Sequence, residues 1–468
     1  MEPSFQNKGL LYFFAAVITL ILLIYASLLS EVGSVNTPNL ILIFYLFVIP
    51  YLGMVWSVQK KPINPGWIFL GAVIFRVVFL FSDFLLSDDV YRYIWDGHLI
   101  NFGVSPYLFA VNNPLLDGYE IKERLLVNHN WMASPYLLTA QAYFGFITKI
   151  FPQSVMAFRL STVLLDLFTA VVIYKILQLM KRNPSLVLIY AWHPLIIFES
   201  TLGAHIDFLM MFFVITSLYF LLKSFLENHS KQLFLNLSSI LFAASVLTKG
   251  WPLLFVPILF WFWGWRRTII VMLVTIAGIF VFVPSAGLGL FGVMDGTGVL
   301  GAVRIYLQYW QFNGSTFSLL SGLMNYLPIK WLSNEKLVQI TRLVSMIIFV
   351  GLLSWVSVSF KQKFRKITDP YKLFYTTLQA MLIGYGLFLL FSATVHPWYL
   401  VLLIPFITIL AEKPLRSPWL WFSITVSLSY LLYINQNWKW VLWAEYLPVY
   451  GLLIWALIRR RLFFEFPD

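Results

Sequence analysis

The chain has no cysteine and few charged residues. The absence of Cys among 468 residues excludes disulfides, thiolate metal ligands and a cysteine nucleophile. Only 11% of the residues are charged and 60% are hydrophobic, whereas a soluble globular chain carries about 25% charged residues. A water-soluble protein of this length would lack the polar side chains to cover its surface. The composition therefore excludes a soluble enzyme and predicts an integral membrane protein.

The apolar residues form blocks that are long enough to cross a bilayer, which takes roughly 20 residues per helix. The predicted fold class is an all-α, polytopic membrane protein with about 14 transmembrane helices and additional outer juxtamembrane helices. Pro135–Phe151 is interpreted as re-entrant or juxtamembrane, because counting it as a span would place every later basic loop outside. The candidate spans are Gly9–Leu29, Leu40–Val58, Trp67–Leu85, Val155–Met180, Ser185–Thr201, Ile206–Phe225, Leu233–Thr248, Trp251–Trp263, Thr268–Gly287, Leu337–Phe360, Leu373–Thr394, Pro397–Ala411, Ser417–Ile434 and Val441–Ile458.

The net charge of +12 does not indicate nucleic acid, because the Lys and Arg residues lie in alternate short loops between spans. This positive-inside bias predicts that both termini are cytoplasmic. The two long segments between spans, 86–154 and 288–336, then lie on the outer face. We expect an N-terminal module over 1–287, with its outer loop at 86–154, followed by a second part over 288–468. A soluble nucleotide-sugar donor would find no cytoplasmic domain to bind it.

The first outer segment contains an acidic pair at the start of a predicted helix. The string SDDVYRYIWDGHLINFGVSPY predicts a helix over Asp88–Phe102 with Ser87 as its N-cap. Asp89, Arg92, Tyr93 and Asp96 share one face, and Tyr91, Ile94, Trp95 and His98 share another. This pattern suits a helix in the membrane interface whose acids project into an aqueous cleft. The pair Asp88 and Asp89 could cap the helix or supply a general base.

Five strings in the chain resemble those of bacterial GT-C membrane glycosyltransferases, most closely the polyprenol-phosphate-mannose-dependent mannosyltransferases. They are DDVYRYIWDG followed by GVSPY, HPLIIFESTLGAHIDFLMM, LTKGWPLLFVP, YWQFNGSTFSLL and HPWYLVLLIP. The resemblance covers most of Leu86–Pro405 and implies a catalytic carboxylate in the first outer loop. In the mannosyltransferases the acid directly before Val-Tyr, here Asp89, is the expected base. In related sugar-lipid transferases the first acid, here Asp88, is favoured; we prefer Asp89.

The resemblance extends to further site residues, each with a structural alternative. Lys249, His396 and Arg304 are the candidates for binding the donor phosphate. Lys249 could instead snorkel, His396 could be an ordinary interfacial His, and Arg304 could pair with Asp295. The candidate substrate contacts are Arg92, Trp95, Asp96, His205, Asp207, Trp310, Asn313, Trp398 and Tyr399. His205 and Asp207 could equally form a polar cap, and Trp95, Trp310 and Trp398 could be interface anchors.

No definite metal site follows from the sequence. Asp89 and Asp207 could hold Mg or Mn together with waters, but the pattern lacks a His-rich ligand set. Arg76 and Asp166 fall within spans, where ionised groups are costly, and are predicted to pair with each other.

The predicted function is an inverting transfer of a sugar, mannose by the resemblance, from a polyprenyl-phosphate carrier to an acceptor hydroxyl. The expected setting is the outer face of the bacterial cytoplasmic membrane. The expected partners are the lipid-linked donor, a lipid-linked or glycan acceptor and the bilayer. The main rival is a transporter or flippase of a lipid-linked sugar, which typically shows inverted repeats and broken helices at mid-depth. A glycan polymerase or ligase shares the long outer loops but lacks the DDVYRY-like string.

Overall fold

The computed structural model describes residues 15–22, 37–82, 84–281, 292, 296–326, 333–410 and 412–458. Within these residues the regular structure is helical, and extended pairing is limited to isolated bridges of Phe312 and Asn313 with Thr394. A helix satisfies every backbone donor and acceptor within its own segment, which an apolar stretch in lipid requires. The all-α fold class predicted from the sequence is confirmed.

Eight helices in the described residues are long and apolar enough to cross a membrane, or nine if one bent pair forms a single span. The bent pair, Pro184–Ala191 with Pro194–Gly203, turns by 59° where Ser185–Thr201 was expected to run straight. The segment Gly9–Leu29 lies mostly outside the described residues. The eight helices are Thr37–Lys60, Val155–Leu179, Asp207–Leu226, Lys231–Thr248, Trp251–Phe280, Asn334–Phe364, Pro370–Phe391 and Lys439–Ile458.

The observed number is below the predicted one because several apolar segments are short or interrupted. Trp251–Phe280 contains Gly264 at φ 72°, so the chain breaks where two spans were predicted. The remaining helices and 3-10 turns are Pro65–Leu80, Asp89–Asn101, Pro114–Tyr119, Lys122–Leu126, Leu138–Ile150, Gly301–Tyr309, Ser315–Tyr326, Pro397–Leu402, Leu403–Leu410, Pro414–Arg416, Pro418–Thr425 and Val426–Tyr433.

The chain divides into two compact units, each built from separate parts of the sequence. The first unit comprises Met1–Ser87, Arg159–Phe208 and Leu400–Asp468, and the second comprises Asp88–Phe158 and Leu209–Tyr399. The boundary predicted between residues 287 and 288 falls at residues that the structure does not describe. It stays a prediction.

A buried ion pair lies inside the first unit. Arg76 donates from Nε to the Asp166 carboxylate, and both side chains are fully buried. Tyr190 donates its hydroxyl to the other Asp166 oxygen at 2.7 Å. Arg76 also donates to the backbone oxygens of Ala72 and Ala191, each at 2.9 Å. The predicted pairing of Arg76 with Asp166 is confirmed, and the added hydrogen bonds offset part of the desolvation cost of two charges.

Two short helices of the second unit, Asp89–Asn101 and Leu138–Ile150, cross in close contact. A Cβ at Gly97 would lie 2.4 Å from the Phe144 backbone oxygen, so only glycine allows this approach. Tyr93 stacks on the Phe144 ring with centroids 4.6 Å apart. The 13-residue Leu138–Ile150 helix is about 20 Å long, too short for a bilayer core of about 30 Å. This length fits the juxtamembrane interpretation of Pro135–Phe151.

Backbone hydrogen bonds join distant segments of the second unit. Gly298 donates its N–H to the Tyr107 oxygen at 2.9 Å, which links the two long loops. Phe312 donates to the Ala393 oxygen at 3.0 Å, and Val395 donates to the Phe312 oxygen at 2.8 Å. The latter two bonds bring the YWQFNG string beside the residues that precede HPWYL.

Candidate active site

The acidic pair stands at the N-terminus of the Asp89–Asn101 helix, within one residue of each predicted end. Asp88, not Ser87 as predicted, occupies the N-cap position. The Asp88 carboxylate makes no capping hydrogen bond with the backbone of the described first turn. That bond defines side-chain capping, whereas the favourable placement of a carboxylate near a helix N-terminus is kept by Asp89 in the first turn.

A single amide holds the two carboxylates side by side. Asn128 Nδ2 donates to Asp88 Oδ1 at 2.6 Å and to Asp89 Oδ1 at 3.0 Å. Asp88 is exposed, and Asp89 is half-buried. Adjacent carboxylates repel each other, and a shared donor offsets part of that repulsion through charge-assisted hydrogen bonds. The arrangement places two carboxyl groups side by side, one exposed and one half-buried.

Arg92 fixes the turn that carries Asn128. Its Nη2 donates to the backbone oxygens of Asn128 and His129, each at 3.0 Å, and its Nη1 donates to the Met132 oxygen at 3.1 Å. Arg92 is only 3% exposed. Its donors are directed to backbone carbonyls, and the substrate contact of Arg92 stays a prediction. Its role is to position the turn at residues 128–132.

Asp96 is also buried instead of facing a cleft. It is 1% exposed and accepts hydrogen bonds from Ser134 Oγ and from Gln141 Nε2. Burial raises the pKa of Asp96 to about 6, although the charge of Arg92 acts in the opposite direction. Asp96 packs against other residues of the loop, and its substrate contact stays a prediction.

Trp95 faces the interior on the other side of the same helix. It is 1% exposed, and the Arg124 guanidinium carbon lies 5.3 Å from its ring centroid. Arg124 in turn pairs with Asp117 at 2.9 Å. The substrate role of Trp95 stays a prediction. Tyr91 and His98, which share the face of Trp95, are half-buried.

Lys249 lies at an aromatic wall in the second unit. It follows the Lys231–Thr248 helix as the C-cap residue, and its Nζ lies 4.7 Å from the Tyr399 ring centroid. The hydroxyls of Tyr399 and Tyr306 are 2.7 Å apart. The Trp251 ring lies beside the Tyr399 and Tyr306 rings, with centroids 5.8 and 6.2 Å apart respectively. This cation–π contact holds the ammonium at a defined place.

His396 is enclosed between two rings and is neutral. It stacks on Phe312 at 4.6 Å and on Trp398 at 4.4 Å between centroids. Burial lowers the pKa of His396 to about 3, and the charges of Lys249 and His129 lower it further. An unprotonated imidazole can still hydrogen-bond a phosphate or a sugar, and the place of His396 at the donor phosphate stays a prediction. Trp398, 6% exposed, packs on His396.

Trp310 is half-buried and lies beside Tyr306 and His129. It stacks on Tyr306, with centroids 5.9 Å apart, and receives the edge of His129 at 4.4 Å. Its backbone oxygen accepts hydrogen bonds from Arg342 and from Thr394 Oγ1. The ring is therefore held in one orientation from several sides.

Asn313 supports the backbone next to His396. It is 7% exposed, has φ 55°, and donates from Nδ2 to the Val395 oxygen at 3.4 Å. Asn tolerates this left-handed conformation better than most residues. Its observed contact is with backbone, in place of the predicted substrate contact.

The described part of the chain thus assembles a continuous set of charged and aromatic groups within the second unit. His129 contacts Trp310 at 4.4 Å and Trp310 stacks on Tyr306 at 5.9 Å between ring centroids. The Tyr306 hydroxyl lies 2.7 Å from that of Tyr399, whose ring lies 4.7 Å from the Lys249 ammonium. A carboxylate pair stands at one end of the set and an ammonium at the other.

The family comparison decides the class of chemistry. The family model for alpha-(1->6)-mannopyranosyltransferase, N-terminal domain, matches residues 20–265, just over half of the chain. The chain belongs to the MptA_B family. It is therefore a membrane mannosyltransferase, as the resemblance predicted. No curated protein matches the chain, and no solved structure does.

The region that matches the MptA_B family includes Asp88, Asp89 and Lys249 but ends before Trp310 and His396. Asn128 and His129 also lie inside it. Sequence reasoning missed these two residues. The signal available was a short polar string, VNHN, between apolar residues of an outer loop in a chain with only six His.

His205 and Asp207 belong to the first unit and are buried. His205 Nε2 lies 3.3 Å from Glu199 Oε2, and Tyr430 donates its hydroxyl to Glu199 Oε1 at 2.6 Å. Asp207 is 1% exposed and begins the Asp207–Leu226 helix. Both side chains are enclosed by protein, and their substrate contacts stay predictions. The alternative, in which His205 and Asp207 form a polar cap, fits these contacts better.

Arg304 lies on the Gly301–Tyr309 helix of the second unit. Its Nε is buried and has no hydrogen-bond partner among the described residues. Asp295, its predicted alternative partner, lies outside the described residues. Arg304 therefore stays a candidate for an anionic ligand.

No cluster of three or more His, Cys, Asp or Glu in the described ranges could hold a metal ion. Asp89 and Asp207, the residues suggested for Mg or Mn, belong to different units.

Proposed function

We propose that this mannosyltransferase is a GT-C enzyme that moves mannose from a polyprenyl-phosphate carrier to an acceptor hydroxyl with inversion. The observation that carries the proposal is the Asn128-bridged pair, Asp88 and Asp89, in the same unit as the Lys249 ammonium. Group transfer from a sugar phosphate needs a base for the incoming hydroxyl and a cation for the outgoing phosphate. The set of residues supplies both.

Asp89 is the proposed general base. It is half-buried, and its negative charge acts to raise the pKa of Arg92, whose pKa burial lowers. A nearby buried cation favours the ionised form of a carboxylate, which is the form that accepts a proton. Asp88 is the more exposed of the two and shares the Asn128 donor, so its proposed role is to orient the pair.

The proposed donor is lipid-linked because the chain offers the setting for one. The second unit combines long apolar helices with Lys249 at an aromatic wall, and a lipid phosphate needs hydrocarbon beside a cation. The cytoplasmic loops predicted by the basic residues are short. The proposed location is the bacterial cytoplasmic membrane, with both termini inside and the acid pair on the outer face.

The proposed reaction is a single displacement. Asp89 takes the proton of the acceptor hydroxyl. The oxygen of that hydroxyl then forms a bond to the anomeric carbon of the donor sugar. The bond from that carbon to the phosphate oxygen breaks, and polyprenyl phosphate leaves with its charge near Lys249. One displacement inverts the configuration. An alpha product, as the family description names, then requires a beta-linked donor.

The decisive experiment uses purified full-length protein in nanodiscs, beta-linked polyprenyl-phosphate mannose and a short α-mannoside acceptor. Wild type should form an α-linked product, identified by mass spectrometry and NMR. Asp89→Asn should lower the turnover on the order of 10³-fold or more, since a general base contributes about 10²–10⁴-fold. Glu120→Gln, an exposed acid of the same loop, is the matched control and should retain activity.

Three results would contradict the proposal in different places. Undiminished turnover in both Asp89→Asn and Asp88→Asn would exclude the base. Use of a nucleotide-linked mannose in preference to the lipid donor would exclude the donor class. Movement of the lipid-linked sugar across a vesicle membrane without product formation would favour the transporter.

A further inference from the structure

His129 is the most unusual residue in the set of groups around the acid pair. It is a non-glycine residue at φ 47°, a conformation that costs on the order of 1 kcal/mol for a side chain such as His. The residue is exposed, yet its backbone oxygen accepts hydrogen bonds from Arg92 and Met132. The surrounding contacts thus hold a strained backbone so that the imidazole stands at one fixed place.

The imidazole meets a ring that is itself fixed. The His129 edge faces Trp310 at 4.4 Å with an interplanar angle of 77°. Partial desolvation lowers the pKa of His129 although Asp88 acts to raise it, and an unprotonated imidazole has one donor and one acceptor nitrogen. A neutral imidazole beside an aromatic face offers hydrogen bonds to hydroxyls and an apolar surface to C–H groups.

We propose that His129 and Trp310 form a subsite for the acceptor mannosyl residue, with His129 hydrogen-bonding a ring hydroxyl of that sugar. This inference rests on the proposed function. The acceptor is favoured over the donor sugar because His129 directly follows Asn128, which holds Asp88 and Asp89. The hydroxyl that loses its proton must lie within hydrogen-bond reach of the base.

His396, the other histidine of the set, does not offer the same surface. Phe312 and Trp398 cover its two faces at 4.6 and 4.4 Å, and it is 8% exposed. An exposed imidazole beside a half-buried aromatic ring is therefore found at His129 and Trp310. That coincidence points to a sugar at this place.

Two variants test the subsite without straining the fold. His129→Gly removes the ring and relieves the positive φ, since glycine adopts this conformation at no cost. His129→Asn keeps a hydrogen-bonding side chain in a residue that tolerates the conformation. The matched control is His229→Gly, which removes an exposed imidazole from a distant loop. The unfolding temperature of His129→Gly should equal or exceed that of wild type.

Separate KM values for the acceptor and for the donor show which of the two sugars His129 contacts. We expect His129→Gly to raise the acceptor KM about tenfold, the effect of one lost hydrogen bond, with the donor KM changed less than twofold. His129→Asn should recover part of this loss, and His229→Gly should behave as wild type. An unchanged acceptor KM, or a rise in the donor KM instead, would overturn the subsite.

A binding measurement keeps this inference distinct from the proposed function. Saturation-transfer NMR with methyl α-mannopyranoside should give signals with wild type that fall in His129→Gly. If wild type fails to use polyprenyl-phosphate mannose but binds the mannoside through His129, the donor proposal is wrong and the subsite stands. If the donor is used and the mannoside signals are equal in both proteins, the subsite is wrong and the donor proposal stands.

Discussion

The Asn128 amide nitrogen lies 2.6 Å from Asp88 Oδ1, across 40 residues of chain. The same nitrogen reaches Asp89 at 3.0 Å, so one neutral side chain determines the separation of two carboxylates. We expect Asn128→Ala to lower kcat by about 10- to 100-fold, because hydrogen bonds to charged groups contribute about 1.5–3 kcal/mol. Asn128→Asp should be more damaging, since a third carboxylate would repel the pair.

Steady-state kinetics of the purified variants check this expectation. Asn130→Ala, an exposed neighbour, is the control and should leave kcat unchanged. Equal kcat in Asn128→Ala and wild type would mean that the acid pair does not depend on this amide.

Lys249 should act on the outgoing phosphate. Lys249→Gln removes the ammonium that lies 4.7 Å from the Tyr399 ring but keeps most of the side-chain length. We expect kcat to fall on the order of 100-fold, as for other groups that stabilise developing charge, while Lys249→Arg retains part of the activity. The control is Lys336→Gln, which alters an exposed Lys and should have no effect. An equal loss of kcat in Lys249→Gln and Lys336→Gln would point to a general charge effect instead.

Gly97 should be intolerant of any side chain. In Gly97→Ala the new Cβ would lie 2.4 Å from the Phe144 oxygen and 2.5 Å from Thr148 Oγ1. The two helices would have to move apart, at a cost of about 1–3 kcal/mol. Gly118→Ala, where no atom lies within 4 Å of the added Cβ, should change stability by less than about 0.5 kcal/mol. The stability of both variants is measured by thermal unfolding, with size-exclusion chromatography to quantify the protein that remains folded. Equal stability of Gly97→Ala and Gly118→Ala would contradict the predicted clash.

The sequence was sufficient for most helices because their signal is local. Apolar blocks predicted helices such as Val155–Leu179 to within a few residues, since lipid forces the backbone of an apolar block into a helix. It was not sufficient for breaks such as that at Gly264, where a positive φ of 72° interrupts an apolar run. Block length does not reveal a backbone conformation.

The candidate site was predicted in part for a similar reason. The adjacent pair Asp88–Asp89 is a local string, but the donor that bridges it comes from a residue about 40 positions later, which no spacing rule identifies. Helical periodicity correctly grouped Arg92 with Asp96, yet it does not say what packs against a face. Here Arg92 donates to backbone carbonyls and Asp96 accepts from Gln141, contacts that periodicity alone does not identify.

Asp96 should make the stability of the outer loop depend on pH. Burial raises its pKa from 3.8 to about 6, so its contribution to stability is fully present below about pH 4. That contribution is lost as the pH rises through about 6, because the buried carboxylate must then ionise. We expect the unfolding temperature of wild type to fall more between pH 5 and 7.5 than that of Asp96→Asn, which cannot ionise. Glu120→Gln should keep the wild-type slope, and equal slopes in wild type and Asp96→Asn would contradict the shifted pKa.

The absence of cysteine from the sequence allows a direct test of the proposed orientation. A single cysteine can be introduced without removing any native one, at Glu120 in the first long loop or at Gln362 in a predicted cytoplasmic loop; both residues are exposed. A membrane-impermeant maleimide should label Glu120→Cys in intact cells and should label Gln362→Cys only after the membrane is permeabilised. This follows from the positive-inside bias, since a charged reagent crosses lipid very slowly. The reverse pattern would place the acid pair on the cytoplasmic face, where a lipid-linked donor would have to be presented from the inner leaflet.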